Sequence, residues 1–203
     1  MPTGNVDPTQ PCQDPSRILS LGTGGSITLA FDNNWIVNGP GPDFTIFENP
    51  FQPVGFPDQS FAETAIVSVS EDGTTWTTIP YNFVDPGTTG GLLQKSCYSG
   101  LAGLNAVYSN PSNGISAYNP AVSGGDAFDL TSVGLTRTRF IRLTDTGTTG
   151  PTQIQAPSGS IINDYGNALN PPPSAGFDLN AVVAIHTSPR SASVRREDWE
   201  LYE

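Results

Sequence analysis

The chain reads as all-β, and three observations support that class. Apolar and polar residues alternate in short runs, as in Ala65-Ile-Val-Ser-Val-Ser70 and Ser26-Ile-Thr-Leu-Ala-Phe31, which is the period of a strand with one buried face. No segment holds a helical period over the ~12 residues that a stable helix needs. Gly 22 and Pro 19 punctuate the runs, at a combined level below that of disordered chains. With 203 residues, 36% of them hydrophobic, one sizeable core can be buried, and two would be marginal.

Residues 1–16 contain Pro2, Pro8, Pro11 and Pro15 and read as an extended polar arm. Ile18–Leu21 is a short strand, Gly22–Gly25 a turn, and Ser26–Phe31 a strand with Ile27, Leu29 and Phe31 on one face. Trp35-Ile-Val37 is a short apolar run, ended by Asn38-Gly-Pro-Gly-Pro42, which excludes regular structure. Asp43–Asn49 is a strand in which Glu48 shares a face with Phe44 and Ile46. Such a carboxylate is costly to bury unless it is paired, hydrogen-bonded or bound to metal.

The organising stretch is 61–79. Ala65, Val67 and Val69 face one way, Glu71-Asp-Gly73 reverses the chain, and Thr74–Ile79 returns, closed by Pro80. This hairpin is expected in the middle of a sheet, with Trp76 in the core. Two long loops follow, at about 82–126 and 146–175, with Ala127–Leu130 restarting order and Arg137–Asp145 a strand between them. Phe177–His186 is read as one strand with Phe177, Leu179, Ala181, Val183 and Ile185 on a common face. The expected organisation is an arm (1–16), a sandwich (17–188) and a tail (189–203) packed on it through Trp199.

The net charge is −11, with one Lys (Lys95) and seven Arg. That excludes a nucleic-acid footprint and attraction to anionic membranes. No apolar leader follows Met1 and no run of ~18 apolar residues occurs, so membrane insertion is not expected. An extracellular or cell-surface location is expected, with the export signal absent from this chain. The lack of an Asn-x-Ser/Thr acceptor favours a bacterial or archaeal source. Cys12 and Cys97 lack metal or redox spacing. In an exported protein they are expected to form a disulfide, closing a loop of about 85 residues for ~4 kcal/mol in the chain-entropy model. In a cytosolic protein they would be unrelated thiols.

Val69-Ser-Glu-Asp-Gly-Thr-Thr-Trp76, then Arg139-Phe-Ile-Arg142, then an apolar closing strand, resembles the ordering in discoidin-like domains. These are galactose-binding-type, coagulation-factor type C-like jelly rolls. The nearer resemblance is to bacterial proteins described only as cell-surface proteins. It rests on Leu19-Ser-Leu-Gly-Thr-Gly-Gly-Ser-Ile-Thr-Leu29, Gly41-Pro-Asp-Phe-Thr-Ile-Phe-Glu-Asn49, Phe61-Ala-Glu63, Gly124-Gly-Asp-Ala-Phe-Asp-Leu130 and Gly176-Phe-Asp-Leu-Asn-Ala-Val182. It spans about residues 18–186. It implies a single jelly-roll β-sandwich, and no particular ligand, because such folds carry sugar, lipid-headgroup and protein ligands.

The chemical candidates are acids. Asp43, Glu48, Asp129 and Asp178, with Asp126 and Asp145 in reserve, lie at boundaries of strands that the resemblance places in one sandwich. A structural Ca²⁺ near a sheet edge is implied by the same resemblance, and Ca²⁺ takes six to eight hard oxygens. The competing expectation is that these acids accept hydrogen bonds from loop N–H groups. Trp35, Tyr98, Tyr108 and Tyr118 are candidates for an aromatic platform that binds a glycan. A hydrolase built on paired carboxylates or on His186 as the base of a triad has no selective spacing behind it. The expected function is therefore a non-catalytic surface binding module, Ca²⁺-stabilised, for a glycan or another surface protein. The alternative is a subunit of a surface layer, filament or virion-like assembly, paired through the arm or tail.

Overall fold

The computed structural model describes residues 1–61, 63–87, 94–147, 153–162 and 176–190. In chain order the strands are β1 (Leu19–Ser20), β2 (Ser26–Ala30), β3 (Asn34–Val37), β4 (Phe44–Phe47), β5 (Ala65–Ser70), β6 (Thr77–Thr78) and β7 (Asn82–Phe83). The second half adds β8 (Tyr98–Ser99), β9 (Leu101–Ala102), β10 (Asp126–Phe128), β11 (Arg137–Thr138), β12 (Phe140–Asp145), β13 (Asp178–Leu179), β14 (Ala181–Ala184) and β15 (Thr187–Pro189). Among the described residues, helix amounts to one turn, α1 (Pro120–Ser123), and three 3-10 turns. The fold is all-β.

The largest sheet runs β2-β12-β5-β6, with β9 also paired to β5. The hairpin forms as its alternation dictates, pairing Ser68 with Thr78 and Val69 with Thr77. Gly73 takes φ 78°, which a side chain would resist. Asp72 Oδ1 accepts from the backbone of Thr74 and Thr75, at 2.7 Å each. These bonds favour the charged carboxylate and lower its pKa. Two three-stranded sheets, β10-β4-β14 and β11-β3-β15, complete the main body.

One core joins these sheets. Val67, Val69, Ile141 and Leu143 come from the large sheet, Phe44, Ile46 and Phe128 from the second, and Ile36 from the third. Sheets that bury one face each against a shared core form a sandwich. Strand β4 is buried throughout: Phe44 and Ile46 face the main core, while Phe47 enters a smaller cluster with Val107, Ala117 and Val183. Continued alternation turns the next residue, Glu48, to the core side at the sandwich rim.

The expected strand Phe177–His186 is two strands. Asn180 separates β13 from β14 and donates its N–H to Phe47 O at 2.8 Å. The break changes the face: Phe177 and Leu179 pack in the main core, but beyond it Val182 and Ala184 do so, while Ala181 and Val183 meet the Phe47 cluster. Trp76 also departs from expectation. Counting back from Thr78, it falls on the outer face of the sheet, partly exposed, with the Arg142 guanidinium 3.8 Å from its ring centroid.

The first long loop is packed where it is described. Phe83 and Leu101 form a second cluster with Leu104, Ala156 and Ile162. The arm lies on its own body: Gly4 N donates to Ser109 O at 2.8 Å and Asn5 N to Val107 O at 3.0 Å. Of the tail, residues 191–203, including Trp199, lie outside the described residues. Cys12 and Cys97 are unpaired, which corrects the expected disulfide. Cys12 lines a pocket under the arm beside Glu48, whereas Cys97 packs against the Phe83–Leu101 cluster. A reducing agent should therefore shift the melting temperature by less than about 1 °C, whereas losing a crosslink worth a few kcal/mol would lower it by several degrees.

Candidate carboxylate site at the sandwich rim

Most buried acids here accept backbone N–H bonds at turns. Asp43, fully buried, accepts from Gly39 N at 2.7 Å, Leu130 N at 2.8 Å and His186 Nδ1 at 2.9 Å. Asp145, equally buried, accepts from Gly24 N, Gly147 N and Phe177 N. Asp126 accepts from Gly103 N, Leu104 N and the Asn105 side chain. Burial still outweighs these bonds and pushes its pKa up to about 6. Asp129 caps the 3-10 turn Leu130–Val133 through Thr131 N.

A second group of acids behaves differently. Carboxylate oxygens of Glu48, Glu63 and Asp178 all lie within 4.8 Å of one another. Three chain segments bring them there: the end of β4, the approach to β5 and the start of β13. Glu48 is 2% and Glu63 4% exposed, and Asp178 is half-buried. Glu48 Oε2 and Asp178 Oδ1 are buried without a hydrogen-bond partner, and no described salt bridge reaches either residue. Desolvation, then the neighbouring Glu63 charge, hold the Glu48 pKa well above the usual carboxylate range, against one backbone bond from Asn49. Asp178 is raised by desolvation, with a Ser20 hydrogen bond opposing and the Asp145 charge adding.

Of the four acids expected to hold a cation, the structure thus brings together Glu48 and Asp178. It adds Glu63, which in the sequence stands out only within the Phe61-Ala-Glu63 stretch. Asp43 stands at the other end of β4 from Glu48, about 16 Å away at the strand rise. Both of its oxygens are engaged, and Asp129 is occupied as a cap. The signal that could have found Glu63 was its place immediately before a buried strand, next to Thr64, which is itself fully buried.

The four aromatic candidates have different neighbours. The Arg137 guanidinium lies 4.1 Å and that of Arg190 5.7 Å from the Trp35 ring centroid. Tyr98 packs on Phe83 at 4.7 Å, Tyr108 is half-buried beside Gly124, and Tyr118 is 59% exposed.

No described helix is long and apolar enough to cross a membrane. No family model matches the chain, and no curated protein or solved structure matches it at a significant level.

Proposed function

We propose that this chain is a non-catalytic extracellular binding module, a discoidin-like jelly roll in type, stabilised by a divalent cation at Glu48, Glu63 and Asp178. The observation that carries the cation site is the pair of buried, unpartnered oxygens, Glu48 Oε2 and Asp178 Oδ1, inside a group of three carboxylates. Buried like charges repel one another and lack solvation, and a bound cation answers both costs. The spread of 4.8 Å is about twice the 2.3–2.6 Å Ca²⁺–oxygen distance, so one ion can reach all three groups. Three carboxylates supply up to six hard oxygens, which suits Ca²⁺ better than softer metals.

Burial also supports the non-catalytic reading, because Glu48 and Glu63 are too enclosed for a polymeric substrate to meet them. The arm is engaged with its own body at residues 107–109, so an assembly role would require it to exchange between copies.

Native mass measurement before and after chelation tests the proposal. The expected result is one Ca²⁺ per chain, lost with EDTA and absent in Glu48→Gln. A chain that carries no ion at millimolar Ca²⁺ overturns it.

A further inference from the structure

The outer face of the large sheet carries a polar row set by register. Thr28 pairs with Arg142, Arg142 with Ser68, and Ser68 with Thr78, so one row crosses four neighbouring strands at about 4.8 Å per step. Arg142 Nε donates to Thr28 Oγ1 at 3.2 Å, and the Ser68 and Thr78 hydroxyls share a 2.9 Å hydrogen bond. Trp76 stacks against the Arg142 guanidinium. No other charged side chain projects from this face of β2, β12, β5 and β6; the remaining outward residues are Ser, Thr, Ala, Ile and Phe.

Arg17, Arg137 and Arg139 each meet a carboxylate within 4.0 Å. Among the described residues Arg142 meets none, as is also true of Arg190, which donates to the backbone Asp32 O instead, although the chain carries 19 acids against eight bases. A guanidinium over an indole, with its Nε engaged by one hydroxyl, leaves its outer N–H groups to receive a carboxylate with two bonds.

We infer that this row is a binding face for a polysaccharide bearing carboxylates, with Arg142 taking one uronate group and the Thr28, Ser68 and Thr78 hydroxyls taking neighbouring sugar hydroxyls. The ligand class follows from the chemistry of the row: one cation flanked by hydroxyls at a step comparable to the repeat of an extended pyranose chain. Among the described residues, the most exposed large apolar side chains lie elsewhere, and Ile66, Trp76 and Phe140 on this face are only partly exposed. The chain as a whole, at net −11, repels polyanions at long range, so attachment has to come from short-range contacts around a cation such as Arg142.

The inference names a ligand for the binding module proposed above, at a place separate from the rim acids. It is tested with EDTA present, so that Ca²⁺ cannot bridge protein to polymer. Affinity electrophoresis through gels containing polygalacturonate, neutral dextran or dextran sulfate is the measurement. The expected result is retardation by polygalacturonate alone, weakened at least about tenfold in Arg142→Gln. Arg142→Lys, which keeps the charge but loses the fork and the stack, should weaken it nearly as much, and melting curves show whether each variant is folded. If Arg142→Gln fails to fold, Arg142→Lys decides. Retardation by dextran sulfate but not polygalacturonate, equal retardation by neutral dextran, wild-type behaviour of either folded variant, or no retardation overturns the inference. None of these outcomes touches the cation reading, which the native mass decides.

Discussion

Glu48→Gln should make the cation-free protein more stable at pH 8 and abolish its response to Ca²⁺. In the folded state burial and Glu63 raise the Glu48 pKa well above 4.5. A carboxyl whose folded pKa exceeds its unfolded value binds more protons when folded, so stability falls as pH rises between the two values. Asp126 acts in the same direction between its unfolded 3.8 and about 6. The cation-free wild type is therefore expected to lose stability as pH rises from about 4.5 through the folded Glu48 value, and Glu48→Gln should lose less. Ca²⁺ takes the place of the proton, so its benefit should be large at pH 8 and small at pH 5. At a concentration 100 times the dissociation constant it contributes about 2.7 kcal/mol, on the order of 5–10 °C in melting temperature for a chain of this size. Melting curves of both proteins at the two pH values, with EDTA or Ca²⁺, check this. Equal Ca²⁺ shifts at pH 5 and pH 8, or a variant that still responds, would sink it.

The strands were legible wherever alternation was strict, because side-chain period alone decides which face is buried. Ala65–Ser70, Ser26–Ala30 and Phe140–Asp145 all fall within expected runs and form three neighbouring strands of one sheet. Where a polar residue interrupts the ladder, the reading failed: Asn180 spends its N–H on Phe47 O, and the face changes with no apolar residue out of place. Size alone places Trp76 in the core, yet its register from Thr78 turns it to the outer face. At the candidate site, burying Glu48 beside Phe44 and Ile46 was readable from one strand. Which acids join it was not, since Glu63 and Asp178 arrive from segments 15 and 130 residues away, and only the pairing of whole strands sets that meeting. The sequence likewise could not separate Asp43 and Asp145, which serve backbone N–H groups, from Glu48 and Asp178, because the residue types and strand-end positions are the same.

Asp145→Ala should be among the most damaging single changes in the chain. Its two oxygens take the N–H groups of Gly24 at 2.7 Å, Gly147 at 2.9 Å and Phe177 at 2.8 Å, so one carboxylate ties the turn before β2 and the entry to β13 to the end of β12. Alanine leaves these donors without that acceptor in a part of the chain where Asp145 itself is fully buried. Unsatisfied buried polar groups cost about 1–3 kcal/mol each, so the expected loss is about 4 kcal/mol or more, a large share of the 5–15 kcal/mol typical of a domain. Asp72→Ala is the control. It also removes two backbone acceptor bonds, but its residue is exposed and water replaces them, so the loss should stay near 1 kcal/mol. Asp145→Asn preserves volume, yet its single acceptor oxygen cannot serve both sides and its NH₂ opposes a donor, so it should fall closer to alanine than to wild type. Urea unfolding decides the matter, with midpoints moving and slopes unchanged if only stability is affected. Because Phe177 N is anchored on Asp145 and Asp178 is the next residue, the same variants should also weaken Ca²⁺ binding. An Asp145→Ala protein within about 1 kcal/mol of wild type would show that the carboxylate is dispensable to the rim and that its neighbours hold it by themselves.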